Sequence, residues 1–296
     1  MNFQQPAIIN ISPHFAVRHK VSLDILRLDL IHPVISGNKW YKLKYYLQHA
    51  IDNKATGIAT FGGAFSNHIL AAACAAQING LKSFGIIRGE KPKLLSHTLK
   101  NAVQYGMELY FISRKEYDNK EMVKERLKDK DLFWIDEGGY GTDGAKGASE
   151  ILDGAAFDKY SHIVVAAGTG TTFAGLIKKI KPHQQVIGIS VMKNNYSLRE
   201  EINSLLNNNE RKKNFRLFHD FHFGGYAKNN DKLINYMNIV YESSDMPLDF
   251  VYTAKAFYGL QKLTEEDFIP SGSKILFVHT GGLQGNLSLP KGVLKF

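Results

Sequence analysis

From residue 56 onward, short apolar runs alternate with stretches whose apolar residues recur at three- and four-residue steps. The runs 57–61, 84–87, 109–112, 132–135, 162–166, 186–191 and 275–279 read as strands. Helical spacing predicts helices over 67–79, 95–105, 115–128, 171–181 and 196–208. This alternation predicts an α/β fold in which open, mostly parallel sheets are flanked by helices. The first four strands and their helices form one block, and the Gly-rich stretch from Glu137 to Gly144 leads into the rest. Two lobes are therefore expected: a small α/β lobe over 49–145, and a large one made of 1–48 and 146–296. His219 and His222 stand in an aromatic, strand-like run and are expected to be sheet residues.

Ahead of the first of these strands, Trp40, Leu43, Leu47, Ala50 and Ile51 mark one apolar helix face, entered directly from the Gly37-Asn38 turn. Lys39 thus falls in the first helical turn, where unpaired N–H groups make the surroundings electropositive. Lys42, three residues on, adds a second cation on nearly the same face. Both effects are expected to push the Lys39 pKa down, toward an amine that can form a Schiff base with an aldehyde. The plainer reading is a solvated lysine-rich face. The rest of the chain decides between the two.

Composition narrows the choice. The 296 residues are 44% hydrophobic and 22% charged, with one cysteine and a formal charge of +9. Those are the proportions of a soluble globular chain, and no apolar run approaches the roughly 18 residues of a membrane span. The start, Met1–Pro6, lacks a charged segment followed by an apolar one, so no signal peptide is expected. Cys74 lies in an Ala-rich helical run and reads as a small core residue; the expected compartment is the cytoplasm. The excess lysines are scattered and unaccompanied by a nucleic-acid motif, so no nucleic-acid partner is expected. No metal site is expected either, with a single cysteine and no paired-histidine spacing.

Two strand–turn–helix junctions carry candidate chemistry. At Gly168-Thr169-Gly170-Thr171-Thr172 a buried strand runs into a Gly/Thr turn that opens a helix, which leaves backbone N–H groups and hydroxyls converging on one point. That is a cradle for phosphate. A dinucleotide fits poorly, since Phe173 replaces the third glycine and no acid ends the next strand. A P-loop is excluded because Ala145 separates Gly144 from Lys146. A small phosphate-bearing cofactor fits better. The second junction, Gly62-Gly63-Ala64-Phe65-Ser66-Asn67-His68, places Ser66 as a helix N-cap at the carboxyl end of a strand, where α/β proteins bind ligands.

Six segments, in order, resemble the 1-aminocyclopropane-1-carboxylate deaminase / D-cysteine desulfhydrase family of pyridoxal-phosphate enzymes with the tryptophan-synthase β-like fold. They are Ser36-Gly37-Asn38-Lys39-x-x-Lys42-Leu43, Gly62-Gly63-x-x-Ser66-Asn67-His68, Glu137-Gly138-Gly139, Gly168-Thr169-Gly170-Thr171, Asp249-x-Val251-Tyr252-Thr253-x-Lys255 and His279-Thr280-Gly281-Gly282. The resemblance implies that Lys39 holds the aldehyde of pyridoxal 5'-phosphate, that Ser66 faces the substrate and that Asn67 bonds the ring hydroxyl. It implies that Gly168, Thr169, Gly170, Thr171 and Thr172 hold the phosphate, that Tyr252 and Tyr226 are active-site tyrosines, and that Thr253 approaches the ring nitrogen. It also implies a homodimer and a small amino-acid substrate.

A neutral threonine near the ring nitrogen deepens the electron sink less than a carboxylate would. This favours removal of an α-proton by Lys39 with loss of a β-substituent, as for D-cysteine, giving ammonia and a 2-oxo acid. Ring opening of 1-aminocyclopropane-1-carboxylate is the alternative, and a non-catalytic phosphate-ligand binder on the same scaffold a second. The departures from the family pattern bear on the substrate: Tyr41 stands for an arginine, Phe65 for a glutamine, and Leu283-Gln284-Gly285 for Pro-Ala-Leu. Arg27-Leu28-Asp29-Leu30 likewise replaces a more charged run.

Overall fold

The computed structural model describes residues 4–296; Met1, Asn2 and Phe3 of the Met1–Pro6 start lie outside the described residues. In chain order the elements are β1 (Ala7–Ile11), α1 (His14–Arg18), β2 (Ser22–Arg27), α2 (Asn38–Asp52), β3 (Gly57–Gly62), α3 (Asn67–Ile78), β4 (Lys82–Arg88), α4 (His97–Gln104) and β5 (Met107–Ile112). Then follow α5 (Arg114–Tyr117), α6 (Lys120–Arg126), β6 (Leu132–Ile135), α7 (Thr142–Ser149), β7 (His162–Ala167), α8 (Thr171–Lys179) and β8 (Gln185–Ser190). The chain closes with α9 (Leu198–Ser204), β9 (Phe215–Phe218), α10 (Asp231–Ser244), α11 (Thr253–Glu265) and β10 (Lys274–His279).

The strands form two sheets, of order β1-β2-β10-β7-β8-β9 and β5-β4-β3-β6. Every pairing is parallel except β1 on β2. This is the α/β architecture that the alternating pattern predicts. Successive residues of β7 point to opposite faces, Val164 into one core with Phe257 and Leu260 of α11, Ile163 and Val165 into another with Phe173 and Leu176 of α8. Burial on both faces is why such strands read as unbroken apolar runs.

In the larger sheet the chain leaves β7 toward β8 and returns on its other side as β10; in the smaller one β4 and β6 flank β3. The turns after β7 and β3 thus sit where strand order reverses, the place where open α/β sheets accept ligands.

Helix α2 packs on both cores: Leu43, Tyr46, Leu47 and Ala50 join that of the smaller sheet, and Tyr41 packs against that of the larger one. Two expectations need correction. The single helix expected over 115–128 is two, because the Asn119 side chain caps a new start by accepting from Met122 N. His219 and His222 lie beyond β9, outside any strand, and His222 Nδ1 accepts from Gly224 N at 3.0 Å.

Candidate active site

Gly37 sets the entry to α2. Its φ is +69°, and a Cβ there would lie 1.8 Å from the carbonyl oxygen of Thr280. Only glycine lets the helix start dock against the loop after β10. Asn38 then reaches across the cleft: its Nδ2 donates to Thr172 Oγ1 at 2.8 Å, within the buried interior. The Gly-Thr turn and the residue before Lys39 are therefore joined directly.

Lys39 Nζ donates to Asn38 Oδ1 at 2.7 Å and lies 6.0 Å from the centre of the Tyr252 ring. That ring packs against Gly168, where a Cβ would come within 3.1 Å of Tyr252 Cε1. Lys39, Tyr252 and the head of the turn thus meet in one place. Burial lowers the Lys39 pKa to about 8, while Asp249 works the other way. The cause is mainly desolvation, not the helix-start and Lys42 effects expected from spacing. The repulsion shows on Lys42 instead, which burial and then Lys39 push well below the ordinary lysine range.

Lys42 is 4% exposed, and among the described residues no carboxylate pairs with it. His68 is its neighbour: a Cβ on Gly139 would lie 3.4 Å from both His68 Cε1 and Lys42 Cε. Thr60 Oγ1 donates to the carbonyl of Ile135 at 2.8 Å, so it accepts from His68 Nε2 at 2.9 Å. That fixes the proton on Nε2 and leaves Nδ1 buried without a partner. Burial and the two lysines hold this imidazole neutral. A buried lysine with no acid beside it is a place for an anion, whose charge would favour its ammonium form.

The turn after β7 supplies the cradle. Gly170 caps α8 with φ +77°, and Thr169 and Thr171 hydroxyls lie 3.1 Å apart. On the facing sheet, Ser66 caps α3 as its type and place predict, accepting from Ile69 N at 3.4 Å. Asn67 Oδ1 is buried without a partner. Asn67 Nδ2 would sit 2.9 Å from a Cβ on Gly282, whose φ of +96° and missing side chain leave it room. Tyr252 OH donates to Tyr226 OH at 3.3 Å, and Tyr226 is 45% exposed. Burial raises both phenol pKa values, so both stay protonated at neutral pH.

Thr253 is tied to Asp249. It has no exposed surface, its hydroxyl donates to Asp249 Oδ1 at 2.7 Å, and it accepts from Asp249 N at 2.7 Å. Its one proton is spent inside the protein, which leaves the hydroxyl only a lone pair to offer a ring nitrogen. The reason is local: Asp249 closes the start of α11, accepting from Val251 N, Tyr252 N and Thr253 N at 2.8–2.9 Å. Asn38, His68 and Asp249 were not singled out from sequence by role. Asn38 in the Gly-Asn turn and Asp249 four residues ahead of Thr253 at a helix start are the signals that could have found them.

An amine of lowered pKa beside an anion cradle and an unpaired buried cation defines a site for a small phosphorylated aldehyde. Comparison with known proteins agrees. The family model for pyridoxal-phosphate dependent enzymes matches residues 12–281, and the chain belongs to that family. Its cofactor is pyridoxal 5'-phosphate. The chain is 32% identical to the bifunctional D-cysteine desulfhydrase/1-aminocyclopropane-1-carboxylate deaminase of Arabidopsis thaliana, over 88% of this chain and 72% of that one. It is 25% identical to a D-cysteine desulfhydrase of Yersinia enterocolitica, over 87% and 86%. A solved structure of an ACC deaminase homologue superposes with a TM-score of 0.79 at 28% identity, covering 96% of this chain and 91% of that one.

Proposed function

We propose that the protein is a deaminating lyase that removes the α-proton and a β-substituent from a small amino acid, D-cysteine being the substrate class that fits best. The observation that carries this reading is the Lys39 amine, poised near pH 8 beside Tyr252 and tied through Asn38 to the Gly-Thr turn. When bound, pyridoxal phosphate supplies an electron sink joined to the substrate's α-carbon. Its phosphate would rest on the N–H groups of the turn from Gly168 to Thr172, with Lys42 as counter-charge. Asn67 Oδ1, buried and unpartnered, would meet the ring hydroxyl.

The chain's own groups then divide the work. Lys39 Nζ takes the α-proton. The Ser66 hydroxyl and the free N–H groups at the start of α3 orient the substrate carboxylate. Tyr226 and Tyr252, protonated at neutral pH, can donate toward the departing sulfur. The preference for β-elimination rests on the neutral Thr253 hydroxyl and also on Asp249. The Asp249 oxygens accept from three backbone N–H groups and one hydroxyl, which fills their lone pairs. Asp249 therefore has no lone pair left over to keep a ring nitrogen protonated, and a weaker sink suits loss of a β-substituent better than ring opening.

The test is ammonia release by the cofactor-loaded protein from D-cysteine, L-cysteine and 1-aminocyclopropane-1-carboxylate. The expected result is release from D-cysteine with sulfide and pyruvate. Release from the cyclopropane substrate alone would replace this reading with ring opening, and none from any of the three would favour a binding protein.

A further inference from the structure

The turn that carries Tyr226 adopts a backbone it does not favour. Phe223 (φ +49°), Gly224 (+90°), Gly225 (+118°) and Ala227 (+52°) all stand in the left-handed region. Phe223 and Ala227 have no glycine-like freedom there, so the surrounding structure must impose the shape. Part of the hold is local: Gly225 N donates to the carbonyl of His222 at 3.0 Å, and Phe223 stacks edge-on against Tyr258 of α11 at 4.9 Å.

The inner hold is a buried cation. Lys255, on α11, has no exposed surface, and its Nζ donates to the carbonyl oxygen of Gly225 at 2.6 Å. No carboxylate forms an ion pair with it among the described residues; Asp249 is the charge that most favours its ammonium form. Burying an ammonium is costly, and an apolar side chain would fill this helix position with less loss. The cost is offset only if the Gly225 carbonyl must be held. The residue after Gly225 is Tyr226, whose hydroxyl meets that of Tyr252. Tyr252, the residue before α11, is itself held through its backbone N–H on Asp249 Oδ2 at 2.9 Å.

We propose that Lys255 is a positioning residue for Tyr226: by clamping the Gly225 carbonyl onto α11 it fixes the strained turn and keeps the Tyr226 hydroxyl on Tyr252 at the site. One helix start thus orients both tyrosines, Asp249 holding one and Lys255 the other. The inference rests on the reading of Tyr226 as a substrate-facing residue of the proposed lyase.

The experiment uses the cofactor-loaded protein and the variants Lys255→Met, Lys255→Gln, Tyr226→Phe and Lys255→Met/Tyr226→Phe. Hydrogen exchange is read first, because it needs no substrate. Amides 222–228 should exchange at least tenfold faster in Lys255→Met while amides 257–262 of α11 keep their protection. Lys255→Gln, which retains an N–H donor, should recover part of the loss. Unchanged exchange at 222–228, or equal loosening of α11, overturns the clamp. Turnover of D-cysteine is read second. Lys255→Met and Tyr226→Phe should each lower kcat/KM about tenfold, and the double variant should be no worse than Tyr226→Phe alone. Multiplying losses would show that Lys255 acts elsewhere and would overturn the proposal. If Tyr226→Phe keeps full kcat/KM, the substrate-facing reading of Tyr226 fails, and the positioning role with it, even where the exchange result stands.

Discussion

Asn38 and Thr172, separated by 134 positions in the chain, share a buried hydrogen bond of 2.8 Å that joins the head of α2 to the head of α8. Lys39 follows the first of these residues, and the Gly-Thr turn ends at the second. The bond therefore couples the amine to the cradle, so that neither can shift along the cleft without the other.

Cutting this bond should weaken cofactor binding before it touches chemistry. Asn38→Ala leaves the Thr172 hydroxyl without its donor and frees the amine of Lys39 from Oδ1. A buried hydrogen bond of this kind contributes about 1–2 kcal/mol, so the Kd for pyridoxal phosphate should rise about tenfold. Absorbance titration measures it, and the visible band at saturation should keep its position. An unchanged Kd would mean the two helix heads are held together by other contacts.

Lys39 should make the cofactor-free protein less stable than it needs to be. Its pKa is about 8 folded and 10.5 unfolded. Between those values the unfolded chain binds more protons, so stability should rise with pH from about 8 to 10.5. Below pH 8 the folded protein carries the half-buried ammonium, at a cost on the order of 3 kcal/mol. Lys39→Met should abolish colour with pyridoxal phosphate, raise the Tm at pH 7 by about 5 °C, and flatten the rise above pH 8. Thermal unfolding of both proteins at pH 7, 8.5 and 10 decides it; a lower Tm in the variant would sink the argument.

What could be read from the sequence, and what could not, follows burial and range. Strands such as β3, β7 and β8 are covered on both faces and read as apolar runs. The strand β2 hid because it carries Asp24 and Arg27, which are buried only by virtue of distant or local partners: Asn10, Lys159 and Tyr160 for the first, Asp29 for the second. In the site, Lys39, Ser66 and the turn from Gly168 to Thr172 were legible because helix-start and turn chemistry is local. The hold on Thr253 was not legible because the carboxylate that claims its hydroxyl had no assigned role. His68 was invisible as a neutral acceptor because its tautomer is set by Thr60, whose own proton goes to Ile135.

Gly282 should prove more demanding than its backbone alone explains. Gly282→Ala must bear a φ of +96° and place a methyl 2.9 Å from Asn67 Nδ2. Gly80, with φ +68° and open space around it, is the control. Gly80→Ala should cost about 1 kcal/mol of stability from backbone strain. Gly282→Ala should cost about 2–3 kcal/mol and also weaken pyridoxal phosphate binding by displacing Asn67. Urea unfolding and a cofactor titration read the two effects. Equal losses at both positions would show that Asn67 yields freely.

Behind the loop that carries Gly282 lies a charged core. Arg27 Nε and Nη2 donate to the two oxygens of Asp29 at 2.8 and 2.7 Å, Asp29 Oδ1 is 3.1 Å from His279 Nδ1, and His279 Nε2 donates to the carbonyl of Pro247 at 2.8 Å. The Asp29 side chain is 1% exposed and that of Arg27 9%. Asp29→Leu leaves the guanidinium buried and unpaired, and should lower the unfolding free energy by about 3–5 kcal/mol. Removing both charges, in Arg27→Met/Asp29→Leu, should lose less than Asp29→Leu alone, because the desolvation cost of both groups disappears with them. Chemical unfolding of the three proteins tests the order. If the double variant is the weakest, the pair is held for its packing against His279 and the loop after β10, and that loop should then loosen in hydrogen exchange.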